Sequence, residues 1–319
     1  HMELNDPLFN MRTNAYPAYE KAARQDWNSK GIFIPETGTF DGPEELPEDI
    51  AEEIRKVFID EKLPSEKLKA YMHKRNQFES RWSLAKPDIP VGWVSHVMVV
   101  AAKTADLYWK RYEYTLDENW LRDRAYPMLK GAAEFYRNYP NLKKDTDGKY
   151  HIYNTALHEH LWGAKDVVDD LSLMNGLFPT VLRASEILGV DEDMRPKWQE
   201  IVDNLAPYPN NETHNALGTL KHKDGLTTLA RGIGPTYLER GTGSESPRLR
   251  MVEQFDVVTL ESHDNELREL VMATYEAHPG YKNYHNGVEG SGSSRFPVIA
   301  ARLGRSDDLE VYLPMWLKQ

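Results

Sequence analysis

Asn154-Thr-Ala-Leu-His-Glu-His-Leu-Trp-Gly163 gathers an amide, two imidazoles, a carboxyl group and an indole into one short stretch. Glu159 stands between His158 and His160, and Trp162 is close behind. A carboxyl group crowded by an aromatic face loses hydration, and desolvation disfavours its charged form. Such a group keeps its proton towards neutral pH and can serve as a general acid. The plainer reading is a polar loop whose histidines bond to backbone. His158 and His160 also invite a metal, since alternate residues of a strand face one side. No third ligand stands at a suitable spacing, so no metal is expected. Asp166, Asp169 and Asp170 lie just beyond; without an EF-hand pattern they read as acids at a helix N-terminus.

These residues need elements to hold them, and the pattern is mainly helical. Trp93, Val97, Ala101, Ala105, Tyr108 and Tyr112 recur every three or four residues, as one helix face does. Thr115-Leu-Asp-Glu supplies a turn and cap, and Leu121, Ala125, Met128, Ala132 and Tyr136 mark the next stripe. Together they predict an αα-hairpin. A second hairpin is expected after it. Leu171, Met174, Phe178 and Leu182 mark its first arm, Gly189-Val-Asp-Glu its turn, and Met194, Trp198, Ile201 and Leu205 its second arm. Pro179 predicts a kink. Further helices are expected over 48–58, entered at Pro47, around Leu267 to Tyr275, and over 295–303. Between them lie long polar segments, 31–47, 71–93 and 204–246, and long loops inside a domain are commonly functional. Short turns alternating with long loops suit a ring of helical hairpins whose loop-rich end forms a pocket.

Composition narrows the function. With 40% hydrophobic and 28% charged residues, the 319-residue chain is globular. Its net charge of −11 argues against nucleic acid or an anionic membrane as partner. No apolar run approaches the length of a membrane span. There is no Cys, so thiolate chemistry and disulfides are excluded. That absence suits an exported bacterial protein, periplasmic or extracellular. His1-Met2 reads as a cloning scar. The glycine pairs Gly232-Ile-Gly234 and Gly241-Thr-Gly243 lack the strand and spacing of a phosphate loop, so no nucleotide cofactor is expected. The chain carries 17 Tyr, 9 Phe and 8 Trp, slightly more rings than its core requires. Flat rings beside amides and carboxylates match the apolar faces and hydroxyl edges of sugars.

The run Tyr112-Glu-Tyr-Thr-Leu-Asp-Glu-Asn-Trp-Leu-Arg-Asp-Arg-Ala-Tyr-Pro-Met-Leu-Lys-Gly-Ala-Ala-Glu-Phe135 resembles a signature of bacterial (α/α)6-barrel glycosidases. The nearest family is glycoside hydrolase family 95, which comprises α-L-fucosidases and α-L-galactosidases. Ala184-Ser-Glu-Ile-Leu-Gly-Val-Asp-Glu-Asp193 and Leu205-Ala-Pro-Tyr208 resemble the hairpin after that family's catalytic acid. Asp170 and the stretch from Leu171 to Phe178 stand where the family has an Asp-led helix. The resemblance covers residues 90–210 well and the flanks loosely. It implies an all-α fold, an (α/α)6-type toroid of helical hairpins with long loops at one end, forming a single catalytic domain over 3–319. About nine or ten helices are counted by periodicity, short of the twelve in six hairpins. The chain ends at Met315-Trp-Leu-Lys-Gln319 in what reads as mid-helix, so the ring is expected to be incomplete and truncated at its C-terminal end. A short ring would expose apolar faces that a second copy could cover as a homo-oligomer.

The resemblance also implies chemistry. Glu159 falls where such enzymes place their general acid, although the family flanks it with Ser, Pro and Asn rather than His158 and His160. The family's Asn-rich motif, which orients the attacking water, corresponds to 73–82; here the residues are Asn76, Gln77 and Arg81-Trp82. Asn76, Trp82, Asn154, His158, His160, Trp162 and Asp170 are the expected substrate-binding residues. The family's general base comes after a helix like 294–303, beyond this chain's end; within the chain Glu289, in Asn286-Gly-Val-Glu-Gly-Ser-Gly, and Asp256, in Val252-Glu-Gln-Phe-Asp, are the candidates. The implied reaction is inverting hydrolysis, with two carboxyl groups about 6.5–9.5 Å apart around one water. The alternatives are a non-catalytic carbohydrate-binding or scaffold module, and a sugar lyase or epimerase with His158, His160 or Tyr153 as base.

Overall fold

The computed structural model describes residues 6–36, 41–43, 45–60, 62, 64–75, 97–157, 161–236, 238–239, 247–287 and 295–317. Helices dominate them, and each strand has only two to four residues, so the all-α class holds. The chain forms two compact units: residues 1–156 with 177–206, and residues 157–176 with 207–319.

The first unit contains helices α1 Asp6–Asn14, α2 Tyr16–Trp27, α3 Glu48–Phe58, α4 Glu66–Arg75, α5 Val100–Thr115 and α6 Tyr126–Asn138. The first predicted hairpin is α5 and α6. Helix α5 ends at a left-handed Leu116, and the carboxylate of Asp117 accepts the amides of Asn119 and Trp120 to start the return. The return is irregular: Glu118–Trp120 is one α turn, and Leu121–Ala125 winds as a π turn before α6. The second hairpin joins the long helix α7, Val168–Leu188, to α8, Arg195–Asn204. Pro179 lies inside α7. Leu205, expected in the second arm, falls just past the end of α8, where it bridges Tyr150 of a small antiparallel pair, β1 Leu142–Lys144 and β2 Tyr150–Ile152.

Aromatic packing holds this unit. Trp27 is surrounded by Phe33, Phe58, Phe135 and Tyr139 at ring separations of 5.2–5.9 Å. Close approach matters at Gly31, whose backbone has φ +79° and where any Cβ would meet the Gly131 carbonyl oxygen of α6 at 2.2 Å. Only glycine lets the 31–34 segment donate from Ile32 N to that carbonyl.

The second unit packs helices α9 Arg250–Glu253, α10 Asn265–Ala277, α11 Pro279–His285, α12 Phe296–Arg302 and α13 Ser306–Trp316 around one apolar core. Leu161, Ala164, Val167 and Val168 enter that core from the segment just after the His158-Glu159-His160 triplet.

Candidate active site

Leu161–Ala164 forms strand β3, and the chain from there into α7 is tightly fixed in the second unit. Strand β4, Leu238–Glu239, pairs antiparallel with β3, Leu161 opposite Glu239 and Trp162 opposite Leu238. Lys165 and Ile233 then exchange backbone hydrogen bonds of 3.0 and 2.8 Å, and Val168 N donates to Arg231 O at 2.9 Å. The Thr236 hydroxyl donates to the carbonyl oxygen of Trp162. Gly163 and Asp166 take positive φ, turning the chain from strand into α7. Asp169 and Asp170 fill the first turn of that helix, where its dipole favours negative charge.

Both aspartates are wholly buried. Asp169 Oδ1 is 2.6 Å from Arg250 Nε, and Arg250 Nη1 is 3.0 Å from Glu253 Oε2. One guanidinium thus spans two carboxylates, the geometry in which arginine outperforms lysine. Two further arginines, Arg231 and Arg248, are also buried; Arg248 donates to the Gly218 carbonyl, 3.0 Å from its Nε. Sequence reasoning missed these cations and Thr236. The Asp169–Arg250 ion pair joins segments 81 residues apart and leaves no periodicity by which the sequence could show it.

Of the ten residues expected at the site, four (Asn154, Trp162, Asp170 and Asp256) are among the described residues. His158, Glu159, His160, Asn76, Trp82 and Glu289 lie outside the described residues. Trp162 is fully buried, and its ring presents no exposed face. Asp170 lies beside the Asp169–Arg250 pair in sequence and shares its burial. Asn154, in the first unit, takes φ +56° and donates its amide to the Phe58 carbonyl at 2.7 Å and the Val57 carbonyl at 3.3 Å. Asn141 donates to Ile59 O at 2.8 Å, so two side-chain amides satisfy the last carbonyls of α3. Asp256 is exposed on a turn where both it and Phe255 are left-handed, and it is ion-paired with Arg302. Tyr153 donates its hydroxyl to Asp145. Among the described residues no cluster of three or more His, Asp or Glu is arranged to hold a metal ion, and no helix is long and apolar enough to cross a membrane.

The second unit also contains a cavity of about 800 Å³ along α10, bordered by Glu266, Glu269, Glu276, Leu260, Leu270 and Leu303 among others. None of the expected site residues that are among the described residues lines it.

Comparison with known proteins agrees with the sequence resemblance. Residues 70–220, which include the 154–170 segment, match the glycosyl hydrolase family 95 catalytic domain. Over that stretch, just under half of its length, the chain is similar to the family 95 glycoside hydrolases. A kojibiose hydrolase of Mucilaginibacter mallensis is 26% identical over 190 residues, 55% of this chain and 25% of its own length. Alpha-L-fucosidase 2 of Arabidopsis thaliana is 29% identical over 94 residues, 27% of this chain and 11% of its own. The chain thus spans a quarter or less of these curated relatives. A solved structure of a human-microbiome protein assigned as a kojibiose phosphorylase aligns with 95% of this chain and 40% of its own, at 12% identity and a TM-score of 0.46.

Proposed function

We propose that the protein hydrolyses glycosidic bonds in oligo- or polysaccharides by an inverting mechanism, with Glu159 as general acid. The observation that carries this is the match of residues 70–220 to a glycoside hydrolase catalytic domain, a stretch that contains Glu159 and its anchored exit strand. The relatives named as a fucosidase and a kojibiose hydrolase share the breaking of glycosidic bonds with water. Glu159 protonates the leaving oxygen, and a second carboxylate draws the proton from water on the opposite face of the sugar. Glu289 is preferred as that base over Asp256, because Asp256 would have to exchange the Arg302 guanidinium for a water.

The test is release of new reducing ends from a panel of neutral oligosaccharides, with product anomers followed by NMR. The wild-type chain releases product of inverted configuration. Glu159→Gln keeps the shape, removes the transferable proton and lowers kcat by about 10²–10⁴-fold. Survival of activity within about tenfold removes Glu159 from the acid role, and retained configuration rejects the inverting mechanism. Absorbance from an unsaturated sugar would point to a lyase instead.

A further inference from the structure

We infer that the cavity along α10 is a binding site for a neutral sugar; the choice of a sugar among uncharged polyols rests on the hydrolase reading. Its volume of about 800 Å³ falls within the ~300–1,000 Å³ usual for small-molecule pockets. Trp162, Asp169 and Arg250 do not line it. Its walls are tied together. Leu229 N donates to the Thr274 hydroxyl of α10 at 2.8 Å, which fixes the 210–229 segment against that helix. Leu260 N donates to Arg302 O at 2.7 Å. The Leu260 side chain packs so close to Gly304 that a Cβ there would meet it at 2.9 Å.

The lining mixes apolar surface with polar groups that are not paired to one another. Leu226 and Leu260 stay exposed and, with Leu270, offer apolar surface to the C–H face of a sugar ring. Glu276 is already committed. Arg305 Nη1 is 2.8 Å from its Oε1, and His222 Nε2 donates to its Oε2 at 3.2 Å, because His222 Nδ1 accepts the amide of Asp224. Glu266 and Glu269, three residues apart on α10, are exposed and meet no cation or hydrogen-bond donor among the described residues. Arg268 gives one bond, from Nη1 to the Leu260 carbonyl at 3.4 Å, and keeps its other N–H groups. Asn210 Oδ1 accepts from Glu212 N at 2.9 Å and from the Thr213 hydroxyl at 3.3 Å, which leaves its NH2 group to donate. A cation would answer only the carboxylates, and an anion only the donors. A hydroxyl both donates and accepts, so hydroxyls set around an apolar ring answer both. Among the described residues no aromatic ring lines the cavity, so the expected affinity is weak, with Kd in the millimolar range.

Met272 lines the cavity, so its methyl group reports binding there without turnover. The experiment records NMR spectra of the whole chain with isotope-labelled methionine methyls, assigns Met272 by Met272→Leu, and titrates glucose, maltose, glucosamine and glucuronate. The Met272 signal is expected to shift and saturate with glucose and maltose at millimolar concentration, and to respond several-fold more weakly to the two charged sugars. Glu269→Ala and Arg268→Ala keep a good helix former on α10. Each is expected to weaken binding of the neutral sugars by about tenfold, as loss of a hydrogen bond to a charged group does. No saturable shift with either neutral sugar, tighter binding of glucosamine or glucuronate, or unchanged affinity in either alanine variant overturns the inference. Hydrolysis is scored separately, with Glu159→Gln as the comparison. Saturation at Met272 without hydrolysis by the wild type leaves the site standing and removes the hydrolase reading. Hydrolysis that depends on Glu159, with no response at Met272, does the reverse.

Discussion

Arg250 shows what a single buried side chain can hold together. Its guanidinium lies between Asp169, which has no exposed surface, and Glu253, which is also buried. Taking such charges out of water is costly, and the pair need not stabilise the fold relative to apolar residues of the same size. Removing one partner is a different matter, because the remaining charge stays buried. Arg250→Met leaves two carboxylates without their shared cation, and a loss of about 3–5 kcal/mol is expected in urea unfolding. Arg250→Lys recovers only part, since an ammonium lacks the fork that reaches both acids. A loss under about 1 kcal/mol would show that the ion pair is replaced by other contacts. The sequence displayed Asp169 and Asp170 as helix-start acids, and they are. It held no sign of the partner 81 residues away, because an ion pair between distant segments leaves no periodicity.

At the scale of elements, legibility tracks amphipathic regularity. The 48–58 helix was readable to the residue, because Pro47 and the acids Glu48 and Asp49 precede a strong apolar stripe of Ile50, Ile54 and Phe58. Helices α1 and α2 were not read. Only Phe9 is buried in α1, and α2 buries small and aromatic residues rather than a row of leucines. Helix α11 was hidden by Pro279-Gly280, which reads as a turn. The two predicted hairpins were readable, but not what joins them. Glu134 of α6 accepts from Trp198 Nε1 of α8 at 2.9 Å and from Arg137 at 2.8 and 2.6 Å. Burial alone would raise the Glu134 carboxyl, but the hydrogen bonds from Arg137, Trp198 and Asn138, with the Arg137 charge, outweigh it and hold it below the ordinary glutamate range. A depressed carboxyl stabilises the fold above its unfolded value and loses that contribution as pH falls through the folded one. The stability difference between wild type and Glu134→Gln should therefore shrink from about pH 4.3 downwards. Melting temperatures across that range check it, and a difference that stays constant would disconnect Glu134 from the acid sensitivity of the fold.

The whole molecule adds a long-range field. Fifty acidic against 39 basic side chains give −11 at neutral pH. Such a field repels polyanions and leaves uncharged sugars untouched, so under the hydrolase proposal it favours neutral over polyanionic carbohydrates before any contact forms. The range of this sorting is set by salt, from about 30 Å at 0.01 M to about 8 Å at 0.15 M. Turnover of a neutral oligosaccharide should therefore change by less than about twofold across that interval, since no charge on the substrate is there to be screened. A uronate-rich polysaccharide should bind weakly at low salt and better as salt is added, which titration at several ionic strengths measures directly. The opposite trend, tight binding that salt weakens, would mean that a local basic surface overrides the net charge. Arg231, Arg248 and Arg250 do not form such a surface in this structure, since the first two are buried and the third is committed to Asp169 and Glu253. Their charges are held by the fold, so the expected salt trend rests on the net charge of −11 rather than on these three cations.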